Sequence, residues 1–161
     1  MKRTLPGSLI LILLAVGAVG FRGFTRSKSQ GGDAEFRSLI DKYYVAWSSM
    51  NIDSAGALYA KDADLVFYDI APLKYKGWQE YAPGVKKNFF DNAISARLTP
   101  NDDLKVTRRG NIAWTSVTFH LSARFKNGQN LEADGRHTAV WEKRDGRWLI
   151  VHEHVSAPMP G

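Results

Sequence analysis

The sequence predicts an α+β fold, in which three N-terminal helices pack on one face of a curved antiparallel sheet and enclose a cone-shaped pocket against it. Three observations predict this. Apolar residues recur at helical spacing in the first half of the folded part, long runs of strand formers fill the second half, and short glycine-containing turns separate those runs. A length of 161 residues allows one domain with its own core and is too short for two.

The N-terminus precedes that fold. Lys2 and Arg3 stand before thirteen uncharged residues, Leu9 to Phe21. This is the length of a signal-peptide core and shorter than the ~20 residues of a full membrane span. Ala18-Val19-Gly20 supplies the small residues that a signal peptidase reads, whereas Arg22, Arg26 and Lys28 favour an uncleaved anchor. Residues 1–24 are therefore expected to be a signal peptide or an N-terminal membrane anchor, and the polar, glycine-ended residues 25–33 a linker. The domain is expected to be exported, periplasmic or extracellular, or membrane-anchored if the segment stays. Five basic residues and no acid precede Asp33, so most of the formal net charge of +6 sits there and the remainder is nearly neutral. Nucleic acid is not an expected partner, and a membrane is expected only through the N-terminal segment.

Within the domain, Asp33 can cap a helix whose apolar side is Phe36, Leu39, Ile40, Tyr43, Ala46, Trp47 and Met50. Asn51-Ile-Asp53 starts a second, short helix through Ala60. Leu65 to Asp69 reads as a strand, Pro72 and Gly77 mark a loop, and Trp78 to Asp91 reads as a third helix. Strands follow at Leu104 to Thr107, Asn111 to Phe125, Leu131 to Lys143 and Arg147 to Ser156. Arg109-Gly110, Lys126-Asn-Gly-Gln129 and Arg144-Asp145-Gly146 are the turns between them.

The last hairpin sets which side chains face the pocket. A three-residue Arg144-Asp145-Gly146 loop pairs Lys143 with Arg147, and Arg136, Thr138 and Val140 then share a face with His154, His152 and Ile150. His137, Ala139, Trp141, Leu149, Val151 and Glu153 share the other. Both faces are apolar near the turn, so one covers the pocket and the other needs a partner, supplied by a homodimer packed sheet to sheet. A two-residue turn would shift the register by one residue and change the facing of the histidines.

Two segments, Phe67-Tyr-Asp-Ile-Ala-Pro-Leu-Lys-Tyr-Lys-Gly77 and Arg136-His-Thr-Ala-Val-Trp-Glu-Lys-Arg-Asp-Gly-Arg-Trp-Leu-Ile-Val-His-Glu-His-Val-Ser156, resemble the SnoaL-like branch of the nuclear transport factor 2-like superfamily. The tail also resembles the association domain of calcium/calmodulin-dependent kinase, another member. The resemblance spans residues 34–158 and implies a cone-like barrel, dimeric, with one pocket per subunit. It does not choose a reaction, since the superfamily includes isomerases, cyclases, dehydratases and binding modules. Tyr43, Tyr44, Asp64 and Asp69 are of the types that isomerases use, without a motif that places them.

Candidate site residues follow from the strand ends and faces. His152 and His154, about 7 Å apart on one strand face, suit acid–base work near neutral pH or anion binding, and equally suit packed, hydrogen-bonded strand positions. Tyr68 and Asp69 lie where the first strand leaves the sheet, at the expected pocket mouth. These four are the catalytic candidates. Arg136 and Thr138 on the neighbouring strand are ligand-binding candidates, Arg136 meeting either an acidic ligand or an internal carboxylate. Trp47, Trp78 and Trp114 are aromatic candidates for the pocket wall, with core packing as the alternative. No metal and no cofactor is expected: there is no cysteine, HExxH helix, phosphate-binding glycine loop or calcium loop. The reading is a small-molecule pocket for an acidic or aromatic ligand, in an isomerase- or cyclase-type enzyme working by acid–base chemistry without a cofactor. The alternative is a non-catalytic ligand-binding or assembly module of the cell envelope.

Overall fold

A computed structural model describes residues 30–159, with side chains from Ala34 to Met159. The expected signal peptide or anchor and most of the expected linker lie outside the described residues. Helix α1 runs Gln30–Ser48. It starts within the stretch expected to be linker, which puts Asp33 inside the helix instead of at its cap. Its buried stripe, Phe36, Ile40, Tyr43, Tyr44 and Trp47, repeats at three and four residues, and Val45 on the opposite side is exposed. Met50, in the left-handed region at φ 53°, turns the chain into α2, Ile52–Gly56. The Asn51 side chain caps α2 by accepting from the Asp53 and Ser54 amides.

Strand β1, Val66–Tyr68, and β2, Tyr75–Lys76, flank a loop and lead into α3, Gly77–Val85. Pro83 lies inside α3, and the helix continues as one wider π-helical turn, Lys86–Phe90, closed by the Asp91 amide on the Lys86 carbonyl. The sheet strands are β3, Ala93–Pro100, β4, Lys105–Arg109, β5, Ile112–Phe125, β6, Asn130–Arg144, and β7, Arg147–Ser156. Strand order is β2-β1-β7-β6-β5-β3, with β4 also paired to β5. The sheet is curved and unclosed. It is antiparallel except where β1 runs parallel to β7. Strand β3 is an addition to the sequence expectation, and it pairs with the far half of β5.

The inner face of the sheet carries Ala113, Thr115, Val117, Phe119 and Leu121 from β5 and His137, Ala139 and Trp141 from β6, with Phe36, Tyr43 and Tyr44 of α1 packed on Trp141, His137 and Phe119. Gly135 has no side chain because Phe119 lies over it: a Cβ there would sit 2.2 Å from the ring. The β6–β7 register corrects the favoured expectation. Asp145 and Gly146, both at positive φ, form a two-residue turn that pairs Arg144 with Arg147. The register then slips by one at Val151, between the pairs Trp141–Ile150 and Val140–His152. This bulge falls where β7 changes its other neighbour. Ile150 is held by Leu58 and Ala60, whereas β1 takes over from His152. Counting every second residue through Val151 therefore gives the wrong face. Trp148, Ile150, Glu153 and Val155 are buried, and His152 and His154 look outward.

Candidate functional site

The bulge turns Glu153 into the core, where it is fully buried. An isolated carboxylate there would be costly, and three phenols answer it. Tyr43 of α1 donates to Oε1 at 2.7 Å, Tyr81 of α3 donates to Oε1 at 3.3 Å, and Tyr59, between α2 and β1, donates to Oε2. The Trp47 indole donates to the Tyr59 oxygen at 3.2 Å. Burial pushes Glu153 up to about 7. The Tyr59 and Tyr43 hydrogen bonds oppose that shift and the charge of Asp69 adds to it. Burial and then the Glu153 charge hold Tyr43, Tyr59 and Tyr81 well above the ordinary phenol range, so each keeps its proton.

His137, opposite Val155, stacks on Tyr43 at 4.4 Å, and its Nε2 lies 4.0 Å from Glu153 Oε1 without a hydrogen-bond partner. That separation is too long for a hydrogen bond. Burial pushes His137 down to about 3, so it is neutral and the two groups form no ion pair.

Beside this cluster lies a cavity of about 280 Å³. Tyr43, Trp47 and Tyr81 form its wall toward Glu153, four phenylalanines, Phe89, Phe90, Phe119 and Phe125, line it together with aliphatic side chains, and Asp69 and Asn88 supply polar groups. Asp69 Oδ1 accepts from the Ile70 amide at 2.7 Å, and among the described residues no side chain bonds it. Burial raises its pKa, partly offset by that amide. A half-buried carboxylate in an apolar cavity, with its pKa raised and no side-chain partner, is suited to moving a ligand's proton.

The sequence candidates separate into two groups. Asp69, Tyr68 and His154 meet in a shallower groove with Ile70, Leu73 and Met159, just outside the cavity, and Asp69 and Ile70 line both concavities. The Tyr68 ring stands edge-on to His152 and His154, and His152 Nδ1 lies 2.7 Å from the Val66 carbonyl oxygen. Trp47 lines the cavity. Trp78 packs on Tyr59 beneath the Lys61 ammonium, 3.8 Å from its ring. Arg136, Thr138 and Trp114 lie on the outer face of the sheet, away from the cavity. Arg136 pairs with Ser156 and does not face His154. Glu153, which sequence reasoning placed opposite the expected pocket face, is the group it missed. The available cue was the excess tyrosine of the helical half. Among the described residues no three histidine or carboxylate side chains are set to hold a metal ion.

The outer face carries a contrasting cluster. His120 of β5 contacts Asp134 through Nδ1 at 2.9 Å and Glu132 through Nε2 at 2.8 Å, all three in solvent. Hydrogen bonds to Asp134 and Glu132 raise the pKa of His120. Those from Ser122 and His120 lower that of Glu132.

The family model of the SnoaL-like domain matches residues 36–160. Among solved structures, a nuclear transport factor 2-like superfamily protein from Salmonella enterica serovar Typhimurium superposes with a TM-score of 0.69 at 22% identity, covering 79% of this chain and 91% of its own. A protein from Xanthomonas campestris, named as a candidate calcium/calmodulin-dependent protein kinase II association domain, gives 0.66 at 26% identity, covering 78% and 86%. A candidate dehydratase from Streptomyces avermitilis gives 0.70 at 15% identity, covering 81% and 99%. No curated protein matches the chain significantly.

Proposed function

The chain belongs to the SnoaL-like family, and we propose that it binds a small, largely apolar molecule in the 280 Å³ cavity and transforms it by cofactor-independent acid–base chemistry of isomerase or cyclase type. The observation that carries this is Asp69, a carboxylate with raised pKa and no side-chain partner among the described residues, which lines a largely apolar cavity. A volume just below the ~300–1,000 Å³ of drug-sized ligand sites suits a ligand of one or two rings. Asp69 would move the proton, a role worth roughly 10²–10⁴ in rate. Tyr68 and His154, grouped with Asp69 in the adjoining groove, and His152 against Tyr68 would meet the ligand's polar end as it enters. The dehydratase name of one structural neighbour is consistent with such chemistry.

The second reading, a non-catalytic binding or assembly module of the cell envelope, is favoured by Glu153, whose carboxylate is answered by three phenols and shut off from solvent. In both readings the chain is exported or tethered through its N-terminal apolar run. It pairs with a second copy through the outer sheet face, where Trp114 is 42% exposed beside Ile112.

Native mass spectrometry of the purified full chain tests this by recording stoichiometry and any co-purifying molecule. NMR in D₂O then follows proton exchange on that molecule with wild type and Asp69→Asn. Exchange that drops 10²-fold or more in the variant supports the enzyme. A retained molecule without exchange supports the binding module, and an empty monomer contradicts pocket and dimer alike.

A further inference from the structure

The cavity's polar groups differ in what they have left to offer a ligand. Each phenol has one hydrogen, and those of Tyr43 and Tyr81 are both spent on Glu153. Their oxygens retain acceptor capacity alone. The Trp47 indole hydrogen is spent on Tyr59. An ionised Asp69 is an acceptor, and the Ile70 amide fills part of one oxygen. Asn88 spends one amide hydrogen on Tyr75 at 3.4 Å, which leaves its second hydrogen as the remaining side-chain donor of the wall.

We infer that the cavity selects neutral ligands bearing a hydroxyl or N–H donor, an alcohol or phenol on an apolar body, over ketones, ethers and carboxylates of the same shape. A hydroxyl satisfies both sides of this inventory by donating to Asp69 and accepting from Asn88. A carboxylate meets the Asp69 charge at close range in an apolar wall, and an ether leaves the Asp69 acceptor unpaired. The two wall phenols share Oε1, whose two lone pairs accept both of them whether Glu153 is ionised or carries its proton on Oε2.

This inference rests on the pocket reading above and is tested so that the two can fail separately. Tryptophan fluorescence or calorimetry on the full chain at pH 8 compares 4-propylphenol, 4-propylanisole, propylbenzene and 4-propylbenzoate, each to millimolar concentration. The expected result is that 4-propylphenol binds about tenfold tighter than 4-propylanisole, the scale of one hydrogen bond. The benzoate is weakest, and Asp69→Asn erases most of the phenol preference. Equal binding of all four, a preferred anisole or benzoate, or an unchanged preference in Asp69→Asn overturns the inference while the pocket stands. Binding of none overturns the pocket and the inference with it.

Discussion

The two faces of one sheet carry the same chemistry under opposite physics. On the inner face a histidine and a glutamate from β6 and β7 are buried, and burial drives both toward neutrality: His137 down to about 3, Glu153 up to about 7. On the outer face His120 and Glu132, from β5 and β6, stand in water at 2.8 Å, and each shifts toward its charged form. The residue types are alike, and desolvation decides the sign. A histidine–carboxylate pair is therefore no unit of function by itself. What distinguishes the inner pair is the set of phenols that substitutes for water.

That contrast is broken most severely by removing the inner acceptor. Glu153→Ala strands three buried phenols and is expected to cost about 3–5 kcal/mol in urea unfolding, or to prevent folding. Glu132→Ala, its outer counterpart, should leave the unfolding midpoint within error. Equal losses at the two positions would sink the comparison.

The next largest effect is on pH dependence. Glu153, with its folded value raised from 4.5 to about 7, gives stability that is fully present below 4.5 and lost as pH rises through about 7. His137 acts oppositely: its stability is present above 6.5 and lost as pH falls toward 3. In the wild type the two offset each other between about pH 4.5 and 6.5. Glu153→Gln removes the first, so its stability should climb with pH across that window, by on the order of 3 kcal/mol relative to wild type. Parallel wild-type and variant curves in chemical denaturation would show that Glu153 is not the titrating group.

A smaller loss sharpens the inner side alone. Gly135→Ala forces a methyl against the Phe119 ring and should cost about 1–3 kcal/mol by overpacking, with the cavity reshaped. The smallest effect is spectroscopic. The His120 pKa, followed by NMR, should lie above that of a free histidine and fall in Glu132→Gln, with no change in the His137 resonance.

Much of the architecture was legible in the sequence because periodicity reports burial directly. The α1 stripe from Phe36 to Trp47 and the start of α2 after Asn51 are local patterns that tertiary context did not alter, although α2 ends at Gly56 and does not reach the expected Ala60. Strand β3 was not legible. Ala93-Ile-Ser-Ala-Arg-Leu-Thr-Pro100 has few strand formers, and at an edge of the sheet it buries only Ala93 and Ala96 on its one covered face. The site was legible by residue type and not by position. Asp69 was recognised at the end of β1, but the facing of His152, His154 and Glu153 hung on a single extra residue. The cause of that bulge, a change of neighbour from the Leu58–Ala60 segment to β1, is a contact between distant parts of the chain.

The tyrosine–carboxylate knot also constrains the order of assembly. Glu153 lies 110, 94 and 72 residues from Tyr43, Tyr59 and Tyr81 along the chain. As the polypeptide leaves the ribosome, all three phenols emerge long before their shared acceptor. The helices therefore cannot reach their final hydrogen-bonded arrangement until the last strand arrives, and such distant closures slow folding.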